Sequence, residues 1–209
     1  MSKDEKSRAD VVRFDRWSRT YENSFTWRHF FEPVHEHLQT QVGAVAGKDV
    51  LDLGCGTGDM LRRFARAGAG RLAGLDPSGG MLEVARGLSG DLPNIEFFHA
   101  TAESLPFPDE DFDIVTSCIA FHHFPDPDAA LSEARRVLKP GGKLVICDMS
   151  AEGLGGRLML AYGRAKAQDD HYYDRRSLAL LMVGAGFEPV VTERVRRFPP
   201  AMLASSLKK

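Results

Sequence analysis

Four residues at the end of a short apolar run could bind a ligand through a backbone turn: Asp52, Gly54, Gly56 and Gly58. Glycines at alternate positions let the chain turn sharply and approach a ligand closely. A helix predicted to start after Gly58 would present free N–H groups and its positive dipole end to that ligand. The alternative is an ordinary tight turn. A dinucleotide-binding loop would place its third glycine at position 59, which is Asp59, so the spacing favours an adenosyl ligand without a pyrophosphate.

A second acidic residue, Asp76, follows the next apolar run of the chain. A carboxylate at the end of a neighbouring strand can accept hydrogen bonds from both hydroxyls of a ribose. Asp76 lies 18 residues after Gly58, close to the roughly 20-residue offset of a ribose-binding acid. The alternative role for Asp76 is an N-cap of the helix predicted to begin at Gly80. The glycine loop nearby favours the ribose.

The adjacent residues His122 and His123 are the candidates for a general base. They follow a predicted strand, at the edge where ligands bind in open α/β sheets, and an imidazole titrates near neutral pH. We place His122 ahead of His123 as the catalytic residue, and packing or turn capping is the alternative. No H-x-x-x-H spacing or nearby carboxylate pattern accompanies the pair, so no metal site is predicted.

The elements that would position these residues alternate between strand and helix. Strands are predicted at 49–53, 71–75, 95–99, 113–118, 143–148, 187–195 and 201–207. Helices are predicted at 60–67, 80–88, 128–138, 154–166 and 176–184. This alternation predicts parallel βαβ units with right-handed crossovers. The expected fold is therefore α/β, with a doubly wound, mostly parallel seven-stranded sheet.

The composition of the 209 residues narrows the class of protein. Hydrophobic residues make up 43% and charged residues 27%, which is typical of a globular domain. The net charge of −2 is far from the basic balance of a nucleic-acid-binding protein. No apolar run approaches the ~18 residues of a membrane helix, and the polar N-terminus does not match a signal peptide. Three widely spaced cysteines indicate a reducing, cytoplasmic setting.

Five motifs together resemble the class I S-adenosylmethionine (SAM)-dependent methyltransferases. They occupy residues 50–58, 74–78, 102–107, 112–115 and 136–142, in the order and spacing of that family. A weaker match at 184–187 extends the resemblance over nearly the whole core. The sequence is most similar to the small methyltransferases that include the ubiquinone and menaquinone biosynthesis enzymes. The resemblance implies a Rossmann-like methyltransferase fold.

The resemblance also implies which residues bind the cofactor. They are Tyr21, Asp52, Gly54, Cys55, Gly56, Asp76, Pro77, Met81, Thr101, Ala102, Glu103, Ser117 and Cys118. The glycine loop would wrap the methionine part, with Asp52 facing its amino group. Asp76 would bind the ribose, residues 77, 81 and 101–103 would border the adenine, and residues 117–118 would approach the transferred methyl. Many relatives have an acid where this chain has Thr101, whose hydroxyl can still accept one hydrogen bond.

The domain organisation is predicted from the same motifs. A disordered tail is expected over 1–13, followed by a single methyltransferase domain over 14–209. Within that domain we expect a helical lid at 14–40, a cofactor-binding core at 48–150 and a substrate-side insertion at 151–174. Tyr21 could close over the cofactor or serve only in lid packing. The insertion contains His171, Tyr172 and Tyr173, which could stack on a flat substrate or pack within the lid.

The expected function is methyl transfer from SAM to a small-molecule acceptor, with release of S-adenosylhomocysteine (SAH). The cofactor carries an activated leaving group, so the protein mainly supplies position and orientation. A general base is needed only where the acceptor must lose a proton. Two alternatives remain open: a SAM-binding module without enzymatic activity, and a nucleotide-dependent oxidoreductase.

Overall fold

A twisted seven-stranded sheet forms the centre of the protein in the computed structural model, which describes residues 3–25, 27–165, 171–197 and 199–209. The strands are β1 (Val50–Leu53), β2 (Leu72–Asp76), β3 (Ile95–His99), β4 (Phe112–Cys118), β5 (Leu138–Met149), β6 (Val191–Arg197) and β7 (Pro200–Leu207). They lie in the order β3-β2-β1-β4-β5-β7-β6. Strands β1 to β5 are parallel, and β7 is antiparallel to both of its neighbours. The predicted doubly wound, mostly parallel sheet is confirmed.

Seven helices of the described chain surround the sheet. They are α1 (Lys3–Trp17), α2 (Glu32–Val42), α3 (Asp59–Arg66), α4 (Gly79–Leu88), α5 (Pro127–Val137), α6 (Gly153–Ala165) and α7 (Arg175–Gly184). Short helical turns occupy Ser18–Thr20, Trp27–Phe31 and Phe121–His123. None of the helices in these ranges is long and apolar enough to cross a membrane.

The core consists of two apolar layers, one on each face of the sheet. Successive side chains of a strand point to opposite faces, and the neighbours Val50 and Leu51 accordingly belong to different layers. One layer packs against α2 and α3 and the other against α5 and α7. Strand β1 is buried along its whole length, which explains why it is a continuous apolar run broken only by Asp52.

The sheet positions the ligand-binding candidates at its switch point. Residue Val50 of β1 pairs with Leu72 of β2 on one side and with Ile114 of β4 on the other. From this central strand the chain winds outwards in both directions. Ligands bind at the carboxyl ends of the strands where the order reverses, which here is the end of β1, β2 and β4.

The N-terminal segment corrects one prediction. Residues 3–13 form the first part of α1, where a disordered tail was expected over 1–13. Tertiary contacts supply the reason: the Asp15 carboxylate accepts hydrogen bonds from the Ser78 hydroxyl at 2.6 Å and from the Gly80 N–H at 2.9 Å. The Phe14 ring also contacts the His123 ring, with 5.2 Å between centroids. The polar sequence before residue 14 contains no local sign of these contacts.

Two strand boundaries also differ from the prediction. Strand β6 begins at Val191, four residues after the expected start at Phe187. Phe187 instead donates its N–H to the Met182 carbonyl and is fully buried, so it closes the end of α7. Strand β5 begins at Leu138, which pairs with Phe112 before the two glycines at 141–142. The remaining elements match the prediction to within three residues, except that the predicted end of α6 at Lys166 lies outside the described residues.

Candidate cofactor and acceptor site

A cavity of about 960 Å³, including its mouth, opens at the carboxyl ends of β1, β2 and β4. Eleven of the thirteen residues predicted to bind the cofactor line it: Tyr21, Gly54, Cys55, Gly56, Asp76, Pro77, Met81, Thr101, Ala102, Glu103 and Cys118. The remaining two, Asp52 and Ser117, are buried and do not line the cavity. Residues 50 positions apart and more in sequence are thus brought together around one space.

The glycine loop forms one wall of this cavity. Gly54 and Gly56 both have positive φ angles, of 69° and 53°, which only glycine adopts at little cost. A Cβ on Gly54 would lie 2.6 Å from the Cβ of Ala120, whereas one on Gly56 would meet nothing within 4 Å. The Gly54 and Cys55 N–H groups both donate to the Leu75 carbonyl at 2.9 Å, which ties the loop to β2. The loop therefore leaves free space beside its backbone for a ligand.

Asp76 lies at the end of β2 with its carboxylate at the cavity wall. One oxygen accepts the Gly56 N–H at 2.9 Å and the other accepts the Ser78 N–H at 2.8 Å. Burial raises the pKa of this carboxyl to about 6, although both hydrogen bonds act to lower it. A carboxylate has about four acceptor positions, so two remain for a ligand that offers two hydroxyls.

The alternative role considered for Asp76, an N-cap, belongs to another residue. Ser78 is the N-cap of α4, since its hydroxyl oxygen accepts the Met81 N–H at 3.1 Å. Asp76 holds the Ser78 backbone and thereby supports the cap.

Asp52 is buried beneath the glycine loop. The Thr116 hydroxyl donates to its Oδ1 at 2.6 Å. Burial raises the pKa of Asp52 to about 7, and the nearby carboxylates of Asp76 and Asp59 add to this while the Thr116 hydrogen bond opposes it. Its predicted contact with the methionine amino group stays a prediction, since the side chain does not reach the cavity surface.

Ser117 and Cys118 point to opposite faces of β4, because successive residues of a strand alternate. Cys118 lines the cavity, whereas Ser117 is 1% exposed and its hydroxyl has no hydrogen-bond partner within the described part of the chain. The two residues therefore cannot both approach a methyl group in this conformation. Burial also raises the pKa of the Cys118 thiol well above its usual value, and the neighbouring Cys147 thiol adds to the shift.

Helix α1 and the turn after it cover the cavity. Asp10, Val11 and Phe14 of α1 line it together with Tyr21. These three residues of α1 occur at helical spacing on one face. Phe14 belongs to the predicted lid, whereas Asp10 and Val11 were missed because residues 1–13 were taken as a tail. Burial raises the pKa of the Tyr21 hydroxyl well above its usual value.

A buried ionic cluster joins this cover to helix α3. The Arg62 guanidinium donates to the Glu22 carboxylate at 2.6 Å and to the Thr57 carbonyl at 2.5 Å. The Thr57 hydroxyl donates to the same Glu22 oxygen at 2.5 Å. Sequence reasoning missed these three residues, because the contacts connect positions 35 and 40 residues apart.

Asp59 extends the cluster to α2. It accepts hydrogen bonds from His35 Nδ1 at 2.9 Å and from Arg63 Nε at 2.6 Å. Burial alone would raise the pKa of Asp59, but these cationic and hydrogen-bonding neighbours bring it to about 2. At the sequence level Asp59 served only to exclude a dinucleotide loop, whereas the structure also places it in the cavity wall.

The two histidines after β4 have different positions. His122 is buried, and Asp148 accepts both its backbone N–H at 2.9 Å and its Nδ1–H at 2.6 Å. His123 is half-buried and lines the cavity, which His122 does not. Tyr172 stacks on His122 with 5.2 Å between ring centroids, and Tyr173 packs on Phe121. Of the two roles considered for these aromatic residues, stacking on a substrate and packing, the contacts show packing against the histidine turn. Within the described ranges, no group of three or more His, Cys, Asp and Glu side chains could hold a metal ion.

Comparison with known proteins decides the family. A family model described as a methyltransferase domain matches residues 51–146. The ubiquinone/menaquinone biosynthesis C-methyltransferase UbiE of Shewanella piezotolerans is 35% identical over 174 residues, which cover 71% of this chain and 69% of that protein. The chain belongs to the class I SAM-dependent methyltransferases. This confirms the resemblance drawn from the five motifs and the expectation of SAM as the cofactor.

Two further comparisons show how far the likeness extends. The chain is 47% identical over 110 residues to the demethylmenaquinone methyltransferase of Clavibacter sepedonicus, covering 52% of this chain and 44% of that protein. The chain thus spans less than half the length of that relative. The fold of the present chain is similar to that of a chain in the solved complex between the Haloferax volcanii Trm112 methyltransferase activator and a methyltransferase. That match has a TM-score of 0.82 and 23% identity, and it covers 93% of this chain and 97% of the other.

Proposed function

We propose that this methyltransferase transfers the methyl group of SAM to a ring carbon of a small aromatic acceptor of the quinol type, releasing SAH. The two curated relatives described above carry names that refer to demethylmenaquinone and to ubiquinone and menaquinone. The single structural observation that carries the proposal is one cavity lined both by a carboxylate and by aromatic rings. Asp76 supplies the carboxylate, and its surroundings are here called the polar end; Phe14, His123 and Phe124 supply the rings, and their surroundings are called the aromatic end.

The residues at the polar end fit the cofactor. Asp76 keeps two acceptor positions for the two ribose hydroxyls, and Pro77 and Met81 supply an apolar border for a purine ring. The open space beside Gly56 suits a chain that runs along the loop. Bound SAM would supply a methyl group on a positively charged sulfur, which is an activated leaving group.

The residues at the aromatic end fit a flat acceptor. The Phe14 ring meets the His123 ring edge-on. The Phe124 ring lies beside Gly54, 3.5 Å from the position that a Cβ on this glycine would occupy. Aromatic rings favour offset-stacked and edge-to-face contacts with a flat ligand. Helix α1 covers this end, so it can hold the acceptor against the methionine part and exclude water.

The test combines binding with turnover. SAH is expected to raise the melting temperature of the protein and NAD is not, since only a ligand of the folded state stabilises it. With SAM and a prenylated 1,4-naphthoquinol that lacks the methyl group, mass spectrometry should detect SAH and a methylated ring carbon in equal amounts. The Asp91→Asn variant should bind and turn over like the wild-type protein and is a suitable control, because Asp91 is exposed and does not line the cavity.

Each part of the proposal can fail separately. SAH binding without turnover on a broad panel of acceptors would indicate a binding module and refute the enzymatic role. Turnover on amine or thiol acceptors alone would refute the quinol acceptor and leave methyl transfer intact. Stabilisation by NAD but not by SAH would refute both.

We also propose a cytoplasmic location for the methyltransferase. All three cysteines are free and buried, as expected of a protein that folds in a reducing compartment. Fractionation of cells that express the tagged chain tests this, and recovery in the membrane or secreted fraction would contradict it.

A further inference from the structure

We propose that His123 is the residue that accepts a proton from the methyl acceptor, and that the buried pair His122–Asp148 holds it in position. This inference rests on the proposed function, because only an acceptor that must lose a proton needs a base. It reverses the order expected from the sequence, where His122 stood ahead of His123.

The first observation is the position of His123 relative to the loop. Ala120 packs against Gly54 of the glycine loop, and both residues line the cavity. The His123 N–H donates to the Ala120 carbonyl at 2.9 Å, so the two residues belong to one tight turn. The His123 ring lines the cavity beside Phe14 and Phe124. An acceptor in the aromatic end would therefore meet this imidazole.

The second observation is that buried hydrogen bonds fix the turn that carries His123. One carboxylate, that of Asp148, binds both the backbone and the side chain of His122. Such a double contact orients the imidazole and fixes the backbone of the turn. The His122 and His123 rings lie 3.9 Å apart between centroids. The buried His122 ring thus supports the half-buried His123 ring. The His122 carbonyl in turn accepts the His171 N–H at 2.7 Å.

The third observation is backbone strain at the exit of β4. Ile119 has a φ of 53°, a conformation that a β-branched residue rarely adopts and that costs on the order of 1 to 3 kcal/mol. Its N–H is held by the Cys147 carbonyl at 2.8 Å. This residue bends the chain sharply from the strand into the cavity wall. Strain of this kind persists where the surrounding structure enforces it, and here it aims the histidine turn at the ligand space.

Methylation of a quinol acceptor would begin with a proton transfer. The His123 imidazole takes the proton of the ring hydroxyl, and the neighbouring ring carbon gains electron density. That carbon forms a bond to the methyl carbon, and the methyl–sulfur bond breaks with its electron pair remaining on sulfur. The proton on the methylated ring carbon is then lost to water and the ring oxygen regains a proton, so one proton is released overall when His123 returns to its neutral form.

The experiment compares three variants with the same prenylated 1,4-naphthoquinol. His123→Gln should lower kcat by about 10²- to 10⁴-fold, while the Kd for SAH stays within about threefold of the wild-type value. Added imidazole should restore part of the activity of His123→Ala, because a free base can enter the space left by the side chain. Asp148→Asn should lower kcat by up to about 10²-fold through misplacement of the turn.

A double variant separates positioning from folding. If Asp148 acts only by placing His123, imidazole should rescue His123→Ala/Asp148→Asn to the same level as His123→Ala. A lower rescue would show that Asp148 supports the fold of the site in general and would overturn its positioning role. A larger loss in His122→Gln than in His123→Gln would overturn the assignment of His123.

A measurement without methyl transfer separates this proposal from the acceptor assignment. In the complex of the wild-type protein with SAH, bound 4-nitrophenol, whose acidity is close to that of an imidazolium, should show more of the absorbance of its ionised form than in the His123→Gln complex at the same pH. If the naphthoquinol is not methylated while this difference is present, the acceptor is wrong and His123 stands. If bound 4-nitrophenol is ionised to the same extent in both complexes, the role of His123 is refuted.

Discussion

Replacement of Asp76 by alanine should remove the recognition of the ribose of SAM and SAH. The carboxylate is 9% exposed and uses two of its acceptor positions for the Gly56 and Ser78 N–H groups. The other two face the cavity, where each can accept one ribose hydroxyl. Loss of such contacts costs about 1 to 3 kcal/mol in total, which corresponds to roughly 5- to 150-fold in Kd.

The same substitution also leaves two loop N–H groups without their partner, so weaker binding alone would not identify the ribose contact. A cycle with a second ligand resolves this. Calorimetry should be performed on the wild-type protein and Asp76→Ala, each with SAH and with its 2′,3′-dideoxy analogue. Loop disorder weakens both ligands equally, whereas a direct contact affects only the ligand that carries the hydroxyls.

We expect the wild-type protein to prefer SAH over the dideoxy analogue by roughly 5- to 150-fold. In Asp76→Ala that preference should fall to about twofold or less, because no carboxylate remains to receive the hydroxyls. If the variant retains the wild-type preference, the ribose lies elsewhere and the placement of Asp76 is wrong. If the wild-type protein shows no preference, the ribose hydroxyls are not recognised at all.

Three further predictions follow from the charges around the cavity. SAH affinity should fall as the pH drops below about 6, since only the ionised Asp76 accepts both hydroxyls. Calorimetry between pH 5 and 8 should find this pH dependence in the wild-type protein and not in Asp76→Ala. Asp52→Asn should stabilise the protein by up to about 4 kcal/mol at pH 8. The pKa of Asp52 is about 7 in the folded protein against the usual 3.8, so the wild-type protein loses stability as the pH rises from about 4 to about 7. The uncharged Asn side chain does not have this loss. Urea unfolding should show this gain shrinking towards pH 4, and no gain at either pH in the exposed control Asp91→Asn. Arg62→Met should destabilise the fold by about 1 to 3 kcal/mol, because the partly buried Glu22 carboxylate loses its charged partner and keeps the Thr57 hydroxyl. A loss in urea unfolding no larger than that of the exposed Arg66→Met control would contradict this.

The sequence was most informative where local pattern and chemistry coincide. The apolar runs predicted the central parallel strands β1, β2 and β4, because parallel strands covered on both faces are apolar almost throughout. The spacing of the loop glycines and of Asp76 predicted an adenosyl ligand, and Gly54 and Gly56 have the positive φ angles that glycine adopts at little cost. These features depend on neighbours within a few residues, so they can be recognised without knowledge of the fold.

The contacts across the cavity could not be recognised in this way. The polar segment before Phe14 was taken as a tail, yet it folds as a helix because Asp15 binds the start of α4. Neither Glu22 nor Arg62 stands out in the sequence, and their pairing depends on the closure of the N-terminal segment over α3. Such contacts join distant segments, and nothing in the local sequence encodes the partner.

The adjacent histidines show both what the sequence predicted and what only the tertiary structure decided. By itself the sequence determined that an imidazole pair follows β4 at the ligand-binding edge of the sheet. Only the tertiary structure decided that His122 is buried on Asp148 while His123 faces the cavity. The physical reason is that burial is set by what packs around a turn, and Asp148 and Tyr172 reach it from segments 25 residues or more along the chain.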